Sequence, residues 1–286
     1  MAQTMPRGTD HSIPPIRRRA PELPWPLNLY QTAIGKKYAM AITGVGLLGF
    51  VVVHMIGNLH LYEGPTEVHE YAEALRELGG HLVPREFVLW VLRLGLLTMF
   101  AVHIHAAYSL SRMNAKANKA YAGNRDYIAV NFASRTMRWT GPIILLYLLW
   151  HIADLTLGYT SDAGVTNGDF VYGDVYNNVY ISLSVWWITA IYVVANVALA
   201  IHIFHGAWSM FQTLGINNPR YNGLRKNFAR GLATVILLGN LSFPLAVNTG
   251  LIDLDGHTPG QYSHSEEGAA EEPSEGDALG DEEEGE

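Results

Sequence analysis

Residues 38–61 read YAMAITGVGLLGFVVVHMIGNLHL and contain no Asp, Glu, Lys or Arg. As a helix this stretch is long enough to cross a bilayer, which takes about 20 apolar residues. Four more long apolar stretches follow, at residues 87–110, 139–157, 179–211 and 231–247. The sequence therefore predicts an all-α integral membrane bundle of five transmembrane helices.

Two of these stretches differ from an ordinary span. The stretch at 179–211 would measure about 50 Å as a single helix, so we expect it to be tilted or to extend beyond the membrane. The stretch at 231–247 is short, and its helix is expected to end near Pro244. Between the first two spans, residues 65–80 predict a short amphipathic helix on the membrane surface.

The composition agrees with a membrane protein and divides the chain. Of 286 residues, 49% are hydrophobic and 16% are charged, against about 25% charged in a soluble domain. Residues from 253 onward hold 13 of the 26 acidic side chains and no Lys or Arg, a composition typical of disorder. We expect a cytoplasmic N-terminal tail at 1–30, a membrane domain at 31–250 and an acidic, disordered tail at 251–286.

The distribution of Lys and Arg predicts the orientation. The N-terminal region and the segments 111–138 and 212–230 hold 16 of the 19 basic residues, whereas 62–86 and 158–178 hold two. The positive-inside rule then places the N-terminus in the cytoplasm and the C-terminus outside, in a multi-pass protein of the cell membrane. No nucleic-acid partner is expected.

Six of the twelve histidines lie well inside apolar stretches. They are His54, His103, His105, His151, His202 and His205. Ionisable groups at membrane depth are costly and usually functional, and imidazole is an axial ligand of haem iron. The chain has no cysteine, which excludes cysteine-held iron–sulfur clusters and covalently attached c-type haem.

The depths of the histidines fall into two tiers. Measured from the cytoplasmic end of each helix, His54 lies about 25 Å deep and His151 about 20 Å deep, whereas His105 lies about 10 Å deep and His202 about 15 Å deep. Each tier could hold one haem between two helices, which predicts two b haems. The spacing leaves two choices open, since His103 is an alternative to His105 and His205 is an alternative to His202.

Four motifs carry a resemblance to a known family. They are VVHMIGN around His54, HAAYS from His105, LWHIAD around His151 and HIFHGAWSMFQTLGI from His202. In their order and helix placement they resemble the cytochrome b membrane-anchor subunit of succinate:quinone oxidoreductase, in its single-chain, five-helix, di-haem form. The resemblance covers roughly residues 30–247.

The resemblance implies specific ligands, partners and activity. It assigns His54 and His151 to the iron of a distal, outer haem, and His105 and His202 to the iron of a proximal, inner haem. It also implies a flavoprotein subunit that oxidises succinate, an iron–sulfur subunit, and a quinone, expected to be menaquinone, as electron acceptor. A higher oligomer of the complex is compatible with this assignment.

Three polar residues are further candidates for the quinone or for a haem propionate. Thr32 and Lys36 stand four residues apart at the cytoplasmic end of the first span and resemble a hydroxyl-and-base pair for quinone. Arg93 lies two turns into the second span, where it could neutralise a propionate or pair with Asp154.

Other functions share part of this pattern. The same scaffold could work as a quinol:fumarate reductase, because the sequence does not set the direction of electron flow. Di-haem cytochromes of hydrogenases or formate dehydrogenases, and ferric reductases, differ in which helices carry paired histidines. A haem-free transporter with a histidine proton relay is a third class.

Overall fold

The computed structural model describes residues 24–25, 27–120 and 132–261, with side chains described over 24–25, 27–116 and 136–261. All the regular elements in these ranges are helical. The α-helices are α1 (Leu27–Gln31), α2 (Ala33–Asn58), α3 (Pro65–Arg76), α4 (Phe87–Ala120), α5 (Phe132–Leu155), α6 (Tyr159–Asp162), α7 (Val175–Leu183), α8 (Trp186–Thr213) and α9 (Asn222–Asn248). The all-α prediction is therefore confirmed over the described residues.

Four segments are long and apolar enough to cross a membrane, which agrees with a membrane protein. They are Ala33–Tyr62, Phe87–Lys116, Trp186–Thr213 and Pro219–Asn248. The third predicted span, α5, is not among them. Its 24 residues would reach about 36 Å, but Arg138, Pro142, His151 and Asp154 lower its mean hydropathy. The prediction of five spans is thus met for four helices only.

The longest apolar stretch is not one helix. The chain leaves α7 at Ser184, turns through an extended Val185 and starts α8 at Trp186. The Asn248 side-chain amide donates to the Leu183 carbonyl at 3.0 Å and so satisfies an acceptor at the end of α7. This break accounts for the excess length of 179–211, so the expectation of one continuous helix over this stretch is wrong. Its tilt or its extension beyond the membrane stays a prediction.

The last long helix also differs from its prediction. It runs on to Asn248 with Pro244 inside it. At its other end, the buried Arg225 guanidinium donates to the Ile216 carbonyl and to the Asn222 side chain. The bond to Ile216 joins α9 to the preceding loop, and the bond to Asn222 lies within the first turn of α9. The helix therefore begins at Asn222, well before residue 231.

Helix α2 is central in the described bundle. It packs against α4 on one side and against α8 and α9 on the other, while α5 packs against α8. Helices α2 and α9 approach closely at Gly239, where an added Cβ would make the Met55 side chain move. This arrangement sets the histidines of α2, α4, α5 and α8 facing one another in pairs.

The predicted surface helix is present as α3, and Val68 is buried where α3 meets α7. Glu73 forms ion pairs with Arg76 and with Arg85, the second at 2.5 Å. These contacts fix the link between α3 and α4. The position of α3 on a membrane surface stays a prediction.

The chain beyond α9 continues as a packed segment. Ile252 is 1% exposed, and Tyr176 Oη donates to the Asp253 carbonyl at 3.0 Å. His257 Nε2 lies 2.8 Å from Asp174 Oδ2, with both side chains 1% exposed. The predicted boundary at 250 therefore lies before the end of the packed structure, and the rest of the predicted acidic tail, 262–286, lies outside the described residues, as does most of the predicted N-terminal tail.

Candidate functional site

His54 on α2 and His151 on α5 face one another. Their ring centroids lie 6.0 Å apart, with an interplanar angle of 84°. Phe50 stacks on His54 at 5.3 Å, and Tyr147 packs against His151 at 5.6 Å. The structure thus brings together the two histidines that were predicted to form the first pair.

A hydrogen-bonded relay determines which nitrogen of His151 carries the proton. Tyr192 Oη donates to Asp154 Oδ2 at 2.8 Å, so the tyrosine oxygen is an acceptor towards His151 Nδ1, which lies 3.3 Å away. Nδ1 therefore carries the hydrogen, and Nε2 carries the lone pair that a metal needs.

The second pair joins α4 to α8, but through His103. The ring centroids of His103 and His202 lie 6.4 Å apart, with an interplanar angle of 60°. The predicted partner of His202, His105, is on the opposite side of α4. The pairing of His105 with His202 is therefore not what the structure shows; His103, which the spacing had left open, takes that place.

His103 fits this position because α2 provides acceptors and space. Its Nδ1 lies 3.1 Å from the Met40 carbonyl and 3.2 Å from Thr43 Oγ1. A carbonyl only accepts, so Nδ1 carries the hydrogen and Nε2 the lone pair. A Cβ at Gly44 would lie 3.4 Å from His103 Cε1, and the glycine keeps that surface open to the imidazole.

His202 has the same tautomer as His103. Thr140 Oγ1 donates its only hydrogen to the Thr136 carbonyl at 3.0 Å. It therefore accepts from His202 Nδ1, which lies 3.2 Å away. Three of the four facing histidines thus have Nδ1–H engaged and Nε2 as the lone-pair nitrogen. Second-shell hydrogen bonds of this kind commonly orient metal-binding histidines.

The two pairs lie at separate levels of the bundle. On α2, Thr43 contacts the His103–His202 pair and His54 belongs to the other. On α5, Thr140 and His151 mark the same two levels. On each helix the two markers are eleven positions apart, which corresponds to about 16 Å. Two helices thus give the same separation.

The geometry of each pair fits two axial ligands of one metal. Imidazole nitrogens bind transition-metal ions at about 2 Å. Two imidazoles bound to one ion from opposite sides therefore have ring centroids about 6 Å apart. The observed separations, 6.0 and 6.4 Å, match this value. With these ring separations, and with Nε2 as the lone-pair nitrogen of His103, His202 and His151, the donor set fits two imidazoles on one metal ion at each level.

The two remaining histidine candidates, His105 and His205, have other surroundings. His105 Nδ1 lies 2.6 Å from Tyr30 Oη, and burial raises the pKa of Tyr30, so the phenol stays protonated. A cavity of about 310 Å³ lies beside His105, where Arg112 and Lys116 contribute positive charge. His205 is buried and packs against Phe204 at 4.8 Å.

The predicted quinone residues hold the junction of α1 and α2. Thr32 is the N-cap of α2, accepting from the Gly35 amide at 2.9 Å and donating to the Leu29 carbonyl at 2.8 Å. Lys36 is buried, and its Nζ donates to the Tyr30 carbonyl at 2.7 Å. Their contacts are structural, and their role towards a quinone stays a prediction.

Arg93 does not reach Asp154. Its side chain is exposed and lies over the Trp90 ring, 4.9 Å from the centroid. Asp154 is buried and instead accepts from three hydroxyl groups, those of Thr160, Ser182 and Tyr192. The expected pairing of Arg93 with Asp154 is therefore wrong.

Sequence reasoning missed the side chains that orient the histidines. Tyr192 and Thr140 could have been found by asking which hydroxyl groups lie on the helices facing each histidine. Another group, which sequence reasoning did not propose, is His60, Glu63 and Glu67, whose donor atoms lie within 4.8 Å of one another. Both glutamates are exposed, and His60 Nδ1 already pairs with Glu63 at 2.6 Å.

The chain finds no match in comparisons with protein families, with curated proteins or with solved structures. Its function therefore has to be inferred from its own residues and from their arrangement.

Proposed function

We propose that this chain is the membrane-anchor cytochrome b subunit of a succinate:quinone oxidoreductase and holds two b haems. The observation that carries the proposal is the presence of two facing histidine pairs at separate levels of one helical bundle. His54 and His151 hold one haem, and His103 and His202 hold the other. This set keeps three of the four ligands implied by the resemblance and replaces His105 with His103.

The protein's own residues would supply position and orientation. Met40 and Thr43 direct His103, Thr140 directs His202, and Tyr192 directs His151. Each bound haem would supply a one-electron carrier. Succinate would be oxidised on a separate flavoprotein subunit, and an iron–sulfur subunit would deliver the electrons, since this chain has no cysteine for clusters. The final acceptor is a quinone, with menaquinone as the expected type.

We include α5 as a fifth span in this proposal. It reaches from the level of Thr140 to that of His151, beside α8, which is itself apolar enough to cross a membrane. Because α5 lies beside α8 over about 16 Å, a membrane around α8 would also surround α5 over that length. Five crossings, with the N-terminus in the cytoplasm, then place the two termini on opposite sides.

Two other function classes give different outcomes. A cytochrome subunit of a fumarate reductase, hydrogenase or formate dehydrogenase would bind the same haems and copurify with different catalytic subunits. A transporter with a histidine relay would bind no haem. Reduced-minus-oxidised spectra of the purified chain separate the transporter from both cytochrome classes, because we expect a b-type α band and a transporter would show none.

The partner subunits are tested in the purified complex. We expect the complex that is isolated gently from membranes with this chain to contain flavin and iron–sulfur centres on its other subunits and to support quinone reduction by succinate. A b-type spectrum together with copurified formate- or hydrogen-oxidising subunits would replace the succinate assignment and leave the haem assignment intact.

A further inference from the structure

We propose that Asp154, acting through Tyr192, is a positioning residue that lowers the reduction potential of the haem held by His54 and His151. This inference rests on the proposed function. Binding of the haems does not by itself require the buried Asp154 carboxylate, and this inference gives that carboxylate a role.

Asp154 is a buried acid held by hydroxyl groups. It is 2% exposed, and it accepts from Thr160 at 2.5 Å, from Ser182 at 2.6 Å and from Tyr192 at 2.8 Å. Within the described residues it makes no ion pair with Lys, Arg or His. Hydrogen bonds to an ionised acceptor are shorter and stronger than neutral ones, and these three donors come from three different helices, α6, α7 and α8.

The carboxylate is connected to the iron ligand by one side chain. Tyr192 donates to Asp154 and accepts from His151 Nδ1–H. Consecutive hydrogen bonds polarise one another, so the carboxylate strengthens the tyrosine oxygen as an acceptor. This draws the Nδ1 hydrogen away from the imidazole and makes Nε2 a stronger electron donor. A stronger donor stabilises the oxidised, more positive iron, which lowers the reduction potential.

The described contacts of the other histidine pair include no comparable relay. His103 Nδ1 meets the Met40 carbonyl and Thr43 Oγ1, and His202 Nδ1 meets Thr140 Oγ1. All three acceptors are neutral, and both threonines pass their hydrogen to backbone carbonyls. The two levels therefore differ in their electrostatics. At the His54–His151 level a carboxylate is linked to a ligand through one side chain, Tyr192. We expect the two haems to differ in potential for this reason.

The experiment is a redox titration of the purified protein, followed by visible spectroscopy, for Asp154→Asn, Tyr192→Phe and a matched control. The control is Tyr147→Phe, because Tyr147 also packs on the His151 ring, at 5.6 Å, yet no described hydrogen bond links its hydroxyl to that histidine. We expect Asp154→Asn and Tyr192→Phe to favour reduction of the His54–His151 haem by up to about tenfold, or about 59 mV for one electron. Tyr147→Phe, whose hydroxyl lies outside the hydrogen-bonded relay, should shift this potential much less, and the other haem should stay unchanged.

Several results would overturn the inference. It fails if both haems are retained and neither Asp154→Asn nor Tyr192→Phe moves the potential, if Tyr147→Phe produces the same shift, or if both haems shift equally. If Asp154→Asn does not fold, the comparison of Tyr192→Phe with Tyr147→Phe decides. A wild-type protein without haem would overturn the proposed function itself, and this inference with it, so the two failures are distinguishable.

Discussion

His103 and His105 stand two residues apart on α4 and have opposite surroundings. His103 faces α2 and α8, with its Nδ1 hydrogen engaged and His202 opposite. His105 faces outward to Tyr30 and to a cavity with basic side chains. Because two residues along a helix differ in direction by about 200°, only one of the two can be a ligand, and the packing of α2 selects His103.

Replacing these two histidines separately tests that selection. His103→Ala should remove one of the two haems, because it removes an axial ligand. His105→Ala, the matched variant two residues away, should retain both. Haem content per chain, measured from the spectrum of the denatured pyridine complex, gives the comparison. Loss of one haem in His105→Ala together with retention in His103→Ala would return the assignment to His105.

The residues that orient the ligands make a separate prediction. Thr140→Val removes the acceptor of His202 Nδ1 while keeping the side-chain shape. We expect haem affinity at this pair to fall about 10- to 100-fold, the usual effect of losing such a partner, with the His54–His151 haem unchanged. Thr98→Val, on the exposed surface of α4, is the control. Haem titration of the apoprotein measures both, and equal affinities in the two variants would argue against the role of Thr140.

At this scale the sequence predicted three of the four facing histidines. His54 and His151 follow from helix position and depth, whereas the choice of His202 over His205 follows from the resemblance. The choice between His103 and His105 depends on which side of α4 meets α2, and that is decided by contacts across the bundle, such as Gly44 against His103. The resemblance favoured His105 because a short motif records sequence order and not the rotation of a helix.

At the scale of elements, the breaks between helices were harder to predict than the helices themselves. Hydropathy joined α7 to α8 because both are apolar, although the Ser184 and Thr189 hydroxyl groups donate to the Ile181 and Leu183 carbonyls at the turn. The turn is stabilised from α9, through Asn248. Similarly, the segment after α9 reads as the start of an acidic tail, yet Ile252 and His257 are buried against the rest of the fold. Long-range contacts supply what local composition does not.

The contact of His257 with Asp174 should hold this segment in place. Asp174 also caps α7, accepting from the Asn177 amide at 3.0 Å. Asp174→Ala leaves a buried imidazole without its acid and removes the cap, so we expect a loss of about 3–5 kcal/mol of stability. Asp169→Ala, an exposed acid nearby, should change stability by less than about 0.5 kcal/mol. Thermal unfolding in detergent measures both, and similar midpoints would contradict a stabilising role.

At the scale of the whole molecule, the number of crossings decides where the termini lie. The absence of cysteine allows single cysteines to be placed as labels, at Ser12 and at Ser263. Five crossings predict that only Ser263→Cys reacts with an impermeant maleimide in intact cells, because the termini are on opposite sides. If α5 lay outside the membrane, four crossings would place both labels on the same side. Equal reactivity of the two labelled variants would therefore show that α5 is not a span.

The central claim is that each of two histidine pairs holds one haem, and the ratio of haem to chain tests it most directly. We predict two b haems per wild-type chain, one in His54→Ala and one in His103→Ala. The two variants should lose spectrally different components, since their histidines belong to different levels of the bundle. A wild-type chain without haem, or loss of the same component in both variants, would contradict the account.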